Sequence, residues 1–359
     1  MESGQADGER RAAVSAWGVF RVFLQLGLTS FGGPVAHLGY FREAFVTRRR
    51  WLDEHAYADL VALCQFLPGP ASSQVGIGIG LAKAGYAGAL AAWLGFTLPS
   101  ALALTLFGYG VAAYQEVLPA GLLHGLKVVA VAVVAQAVWG MARTLCPDAP
   151  RATLAVLAAA AVLAVPGAGA QLAVIAGGAL AGLLVLPGQQ DRAATSLGIP
   201  VNKAVAIAAL LLFFALLIGL PLLSAAFPAQ GDVGQGDVGQ SLALADSFYR
   251  SGALVFGGGH VVLPLLQAEV VPPGWVSNDA FLAGYGAAQA VPGPLFTFAA
   301  YLGAVMEPVP NGVLGALICL VAVFAPSFLL VIGALPFWDG LRHHPLARRA
   351  LTGVNAAVV

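Results

Sequence analysis

The run Phe31-Gly32-Gly33-Pro34, followed by Gln65-Phe66-Leu67-Pro68-Gly69-Pro70, returns in the second half of the chain as Phe256-Gly257-Gly258-Gly259-His260 and Gln289-Ala290-Val291-Pro292-Gly293-Pro294. A duplicated unit decides the architecture before any single element is assigned. Outward from these runs the match continues. Phe23-xxx-Gly27 leads into the first, and Phe248-xxx-Gly252 into the second at an offset of 225. Trp51 pairs with Trp275, and the two Gln-xx-Pro-Gly-Pro runs with each other, at 224. Gly88-Ala89 and Pro99-Ser100 meet Gly315-Ala316 and Pro326-Ser327 at 227, and Gly125 meets Gly353 at 228. So small a drift is that of one module copied twice.

The solvent of this module is lipid. Hydrophobic residues make up 59% of the 359 and charged residues 9%, whereas soluble domains carry about 25% charge. The runs Asn202 to Phe227 and Asn311 to Phe337 exceed the roughly 20 apolar residues that cross a bilayer. Basic and acidic residues balance at 17 each, so no global charge recruits nucleic acid. Cys64, Cys146 and Cys319 lack metal-ligand spacing and read as small buried hydrophobes. The polar start, Met1 to Arg11, is followed by no Ala-x-Ala cleavage site, so no cleaved signal peptide is expected and the bacterial inner membrane is the default destination.

The fold class that follows is an all-α polytopic membrane protein of two inverted-topology repeats with broken, re-entrant helices. Hydrophobic segments cover 13–40, 57–82, 85–114 and 118–142 in the first repeat, and 241–266, 280–302, 311–337 and 346–359 in the second. Connecting helices are expected at 152–166, 170–187 and 202–227. The chain therefore divides into a cytoplasmic N-terminus (1–12), a first repeat with connecting helices (13–187), linkers around a connecting helix (188–240), and a second repeat (241–359). That second repeat ends where the first continues through apolar residues to Trp139, so it reads as cut short.

Orientation comes from Lys and Arg in short loops, which favour the cytoplasm. The clusters are Arg42 with Arg48, Arg49 and Arg50; Arg143 with Arg151; Arg192 with Lys203; and Arg342 with Arg348 and Arg349. If every segment spanned, the Arg42–Arg50 and Arg143/Arg151 loops would face opposite sides. Re-entrant broken segments put every basic cluster inside, and the two repeats then insert with opposite sense.

Broken helices persist in a bilayer where protein or a cavity satisfies the freed backbone. Their N-terminal ends carry partial positive charge, and glycine lets backbone N–H groups approach an anion closely. Gly32, Gly33, Gly257, Gly258 and Gly259, with the breaks Pro68-Gly69-Pro70 and Pro292-Gly293-Pro294, are thus candidate anion-facing ends. The plainer role for such glycines is tight helix packing. Gln65, Gln289, Ser72, Ser73 and Thr297 lie beside the breaks and offer neutral hydrogen-bond donors, or else interhelical bonds. Arg250 and Lys127 are intramembrane charges suited to attracting an anion, whereas Arg21 suits snorkelling to the interface. His260, His37 and His124 are candidate proton carriers or satisfied polar residues. Asp53, Glu54, His55 and Asp59 read as a solvated, salt-bridged face beside the Arg-rich loop. No Walker A, HExxH or GxSxG run occurs, and no cofactor is expected.

With Trp51 between them, the Phe-Gly-Gly-Pro and Gln-Phe-Leu-Pro-Gly-Pro runs, and their second copies, resemble the chromate ion transporter family in its long, two-domain form. The resemblance implies a bacterial inner-membrane protein that exports chromate, driven by the proton-motive force, with sulfate as the expected competitor. It implies chromate, lipid and protons as partners, no nucleic acid, and no enzymatic activity. The residues alone leave open a transporter of another oxyanion such as sulfate, a channel, and an intramembrane enzyme or lipid-binding scaffold, the last without a catalytic constellation to support it.

Overall fold

The computed structural model describes residues 14–113, 120–164, 168–185, 199, 201–227, 238–256, 262–342 and 344–358, which are mostly helical with no strand among them. In the first repeat α1 (Ala16–Thr29) is capped by Ser15, whose hydroxyl accepts from the Gly18 amide, and α2 (Gly33–Arg42) runs on into a π-helical turn, Glu43–Arg48. Next come α3 (Glu54–Phe66) and α4 (Ala71–Ala113). The second repeat contains α9 (Val238–Ala253), α10 (Val262–Val270), α11 (Asn278–Ala290), α12 (Phe298–Val305) and α13 (Gly312–Ala334). α5 (Ala120–Leu145) completes the first repeat, α6 (Ala149–Ala164), α7 (Ala168–Val185) and α8 (Lys203–Ala226) connect the two, and α14 (Trp338–Arg342) and α15 (Pro345–Ala357) follow α13 in the second.

Corresponding elements form for corresponding reasons. α3 and α11 are both 13 residues long at an offset of 224, and begin on side-chain caps, Asp53 to the Ala56 amide and Ser277 to the Ala280 amide. Both stop in extended backbone, at Leu67 (ψ 146) and Val291 (ψ 148), because the proline that follows clashes with an α conformation in the residue before it. The sequence segmentation separates 57–82 from 85–114, and α4 breaks between them at Ala84 and Gly85, the latter with φ 62; Gly312 starts α13 with φ 60 at the matching position. Where α1 crosses α4, a Cβ on Gly27 would lie 2.8 Å from the Phe96 carbonyl oxygen. Gly252 meets the Val323 carbonyl in the same way where α9 crosses α13.

Among the described residues three stretches are long and apolar enough to cross a bilayer: Ala71–Val111, which holds the break, Lys203–Ala226 and Gly312–Phe337. The last two coincide with the apolar runs legible in the sequence. α8 spans about 36 Å at 1.5 Å per residue, which exceeds the hydrocarbon thickness of about 30 Å. Its Leu211, Ile218 and Leu222 stay 60–66% exposed, the apolar outer surface of a helix that faces lipid. Inside, edge-on and stacked rings fill the first repeat (Phe23, Phe41, Phe45, Phe96), and Phe281, Phe296, Phe298 and Phe324 the second. α4 also packs along α11, α12 and α13, so the two repeats share one interior.

Two expectations need correction. Asp53, Glu54 and His55 are exposed, with Glu54 paired to Arg42 at 2.7 Å, and Arg42 draws the Glu54 carboxyl below its ordinary range. Asp59, however, is buried: helical spacing turns it to the inner face of α3, where Trp338 Nε1 donates to its Oδ1 at 3.0 Å. Cys64 and Cys319 are buried as expected, but Cys146 is only half-buried, at the end of α5.

Candidate functional site

The breaks of the two repeats meet each other. The Gly69 amide donates to the Val255 carbonyl at 2.7 Å, and the Gly293 amide donates to the Ser30 carbonyl at 2.9 Å. Ser30 and Val255 immediately precede the two Phe-Gly-Gly runs, so each Pro-Gly-Pro turn is tied to the residue before the opposite repeat's Phe-Gly-Gly run. Such reciprocity is what a two-fold relation between repeats produces. Both glycines sit at positive φ, 120 for Gly69 and 107 for Gly293, a region unfavourable to residues with a Cβ. Space is exchanged reciprocally too. A Cβ on Gly69 would lie 3.0 Å from Ser327 Oγ, and one on Gly293 would lie 2.7 Å from Ser100 Oγ.

Around these turns the interior is polar and uncharged. Ser30, Ser72, Ser73, Gln74, Thr97, Ser100, Thr297 and Ser327 are each at most 3% exposed. Some satisfy local backbone: Gln74 Nε2 donates to the Pro68 carbonyl at 2.7 Å, Thr297 Oγ1 to Pro294 at 2.7 Å, and Ser100 Oγ to Thr97 at 3.1 Å. Others do not. The hydroxyls of Ser30, Ser73, Thr97 and Ser327, and Gln74 Oε1, have no hydrogen-bond partner among the described residues. An unpaired buried polar group costs about 1–3 kcal/mol, so several in one place are dear to a fold that has no other use for them. His37 is 1% exposed, sits 3.4 Å from Ser72 Oγ through Nδ1, and stands edge-on to Phe96 at 5.2 Å.

Helix starts point into the same region. α4 begins at Ala71 directly after its Pro-Gly-Pro turn, and a 3₁₀ turn, Leu295–Thr297, opens α12 after the other. α2 begins at Gly33, with Gly32 as a left-handed N-cap (φ 95) and Pro34 in its first turn. The first amides of a helix lack intrahelical partners and favour anions.

The structure gathers only part of the sequence-derived candidates. Pro68, Gly69, Pro70, Ser72, Ser73, Pro292, Gly293, Pro294 and Thr297 belong to the central junction. Gly32 and Gly33 border it, with Gly32 exposed. Gln65 is exposed on α3, and its counterpart Gln289 is half-buried beside Tyr285. Gly257, Gly258, Gly259 and His260 lie outside the described residues, as do the side chains of Lys127 and His124 on α5. Arg21 is exposed. Arg250 is paired: Nε and Nη2 each donate to Asp246 at 2.9 Å, and Nη2 also donates to Glu269 at 3.0 Å. Sequence reasoning passed over Ser30, Gln74, Thr97 and the binding potential of the Pro-Ser pairs. The signal was there: each is a polar side chain inside an otherwise apolar helix or at its very end.

The sequence profile described as "Chromate transporter" matches residues 17–183 and 242–359. A chromate transport protein of Pseudomonas aeruginosa is 30% identical over 95% of this chain and 78% of its own length. A probable chromate transport protein of Synechococcus elongatus is 26% identical over 93% of this chain and 79% of its own. An uncharacterized transporter of Methanocaldococcus jannaschii is 26% identical over 96% and 81%. No solved structure matches the chain.

Proposed function

This chain belongs to the chromate transporter family, and we propose from that premise that it is a secondary active transporter which exports chromate across a bacterial inner membrane and so confers chromate resistance. The observation that carries the mechanism is the reciprocal junction, Gly69 to Val255 and Gly293 to Ser30, lined by buried neutral donors. A tetrahedral dianion needs many donors and no acceptor. Hydroxyls, an amide and the first N–H groups of half-helices supply them without burying a fixed charge.

The same geometry supports alternating access. Because each turn is bonded to the opposite repeat, neither repeat shifts without displacing a strand of contacts in the other. Opening one side of the junction therefore accompanies closing the other. The basic loops around Arg48–Arg50 face the cytoplasm in this reading, and the turn at Pro272–Gly274 faces outside. Export of a dianion from a cell with a negative interior gains about 2.3 kcal/mol per charge per 100 mV, so no nucleotide hydrolysis is required. Protons are the proposed coupling ion.

Sulfate has the same shape and charge, and the neutral junction reads both. Proteoliposomes containing the purified chain should release labelled chromate faster than protein-free vesicles, with excess sulfate slowing the release. Equal rates with and without protein would exclude chromate transport. Faster sulfate release without chromate release would make this a sulfate transporter.

A further inference from the structure

Asp246 and Arg250 stand one turn apart on α9, and α10 brings Glu269 against them near its end. Both carboxylates converge on Arg250 Nη2, at 2.9 Å for Asp246 and 3.0 Å for Glu269. The side chains are 9%, 17% and 23% exposed for Asp246, Glu269 and Arg250. Buried charge persists when it is balanced. Here the sum is one negative charge whenever both carboxylates are ionised. The neighbouring elements supply no compensating cation among their described residues. α8 carries Lys203 only at its exposed first position, Cys319 is the sole ionisable side chain of α13, Glu269 that of α10, and Tyr249 on α9 donates to the Phe213 carbonyl. His260 lies outside the described residues.

The position is pertinent to transport. Arg250 precedes Val255, the acceptor of the Gly69 amide, by five residues, and α9 ends between them at Ala253. Building on the transporter reading above, we propose that Asp246, Arg250 and Glu269 form a proton-controlled anion site on the helix that leads to the central junction. With both carboxylates ionised, the guanidinium is occupied and the net charge repels a dianion. One proton, taken from water onto the carboxylate pair, cancels the excess charge and frees a guanidinium edge. A carboxylate and a tetrahedral oxyanion meet that edge through the same fork of N–H donors, so the dianion takes the place of the acid that was protonated. The proton returns to water when the anion departs. A purely structural triad would instead fasten α9 to α10 with no proton linked to the anion.

Chromate binding to the purified full chain, followed over the alkaline range in which chromate itself stays a dianion, separates the two. Affinity should rise by up to about tenfold per unit fall in pH, the limit for one linked proton, and chromate added to weakly buffered protein should draw a proton from solution. Glu269→Gln and, independently, Asp246→Asn should flatten the pH slope. Wild-type protein that binds chromate with neither proton uptake nor a pH slope overturns the proposal, however the variants fold. Folded variants that keep the wild-type slope overturn it as well. Wild-type protein that neither binds nor moves chromate or sulfate refutes the transporter reading itself, which is a different result.

Discussion

The amide of Gly69 donates to the carbonyl of Val255 at 2.7 Å, joining the Pro-Gly-Pro turn of one repeat to the residue that precedes the Phe-Gly-Gly run of the other. Its mate, Gly293 to Ser30 at 2.9 Å, makes the same bond in reverse. Freed backbone groups inside a membrane need protein partners, and here each repeat provides them for its counterpart. The two Pro-Gly-Pro breaks therefore each draw a backbone partner from the opposite repeat.

Gly69→Ala and Gly293→Ala test this junction. Each puts a Cβ at positive φ, a strain of about 1–2 kcal/mol, and drives it against Ser327 or Ser100. Both variants should lose transport at least tenfold by proteoliposome flux and melt at lower temperature. Wild-type flux from either would show that the turn geometry is incidental. The double variant should fall short of the summed losses, because the two sites share a junction.

Ser327→Ala gives the opposite pattern in stability. Its hydroxyl is buried without a protein partner, and removing such a group relieves a desolvation penalty of about 1–3 kcal/mol. Thermal stability should hold or rise while the KM for chromate rises several-fold. A fall in stability with unchanged KM would mark the hydroxyl as structural.

How much of this was readable beforehand depends on the kind of interaction. The offset of 224 between α3 and α11, their proline-limited ends and the long helices α8 and α13 follow from local chemistry, which a sequence displays. The pairing of Gly69 with Val255 does not, because backbone groups carry no residue signature and the partner lies in the other repeat. Arg250 was visible as an intramembrane charge. Glu269 was not recognised as its partner, since it reaches the guanidinium only after α10 folds back. Asp59 was misread because its neighbours Asp53 and Glu54 are solvated, while the indole that buries it comes from Trp338, far along the chain.

Trp338→Phe isolates that last contact. The ring volume is largely kept and the hydrogen bond to Asp59 is lost, which should lower stability by about 1–3 kcal/mol for a buried carboxylate deprived of a donor. Melting in detergent measures it. Asp59→Asn keeps an acceptor for the indole and should be milder than Trp338→Phe. The reverse order would mean that the charge of Asp59, and not the indole bond, holds α3 to the start of α14.

The opposite insertion of the repeats is open to direct labelling. Cys64 and Cys319 are buried, so a Cys146→Ala background leaves little reactive thiol. Arg49→Cys lies in the basic loop before α3, and Pro273→Cys in the loop before α11, at nearly the same place in the two modules. A membrane-impermeant maleimide should reach Pro273→Cys in intact cells and Arg49→Cys only after the membrane is opened. Labelling of both from the same side would make the repeats parallel. The two Pro-Gly-Pro turns would then enter the bilayer from one face, and a junction in which each repeat completes the other's site could no longer open to the two sides in turn.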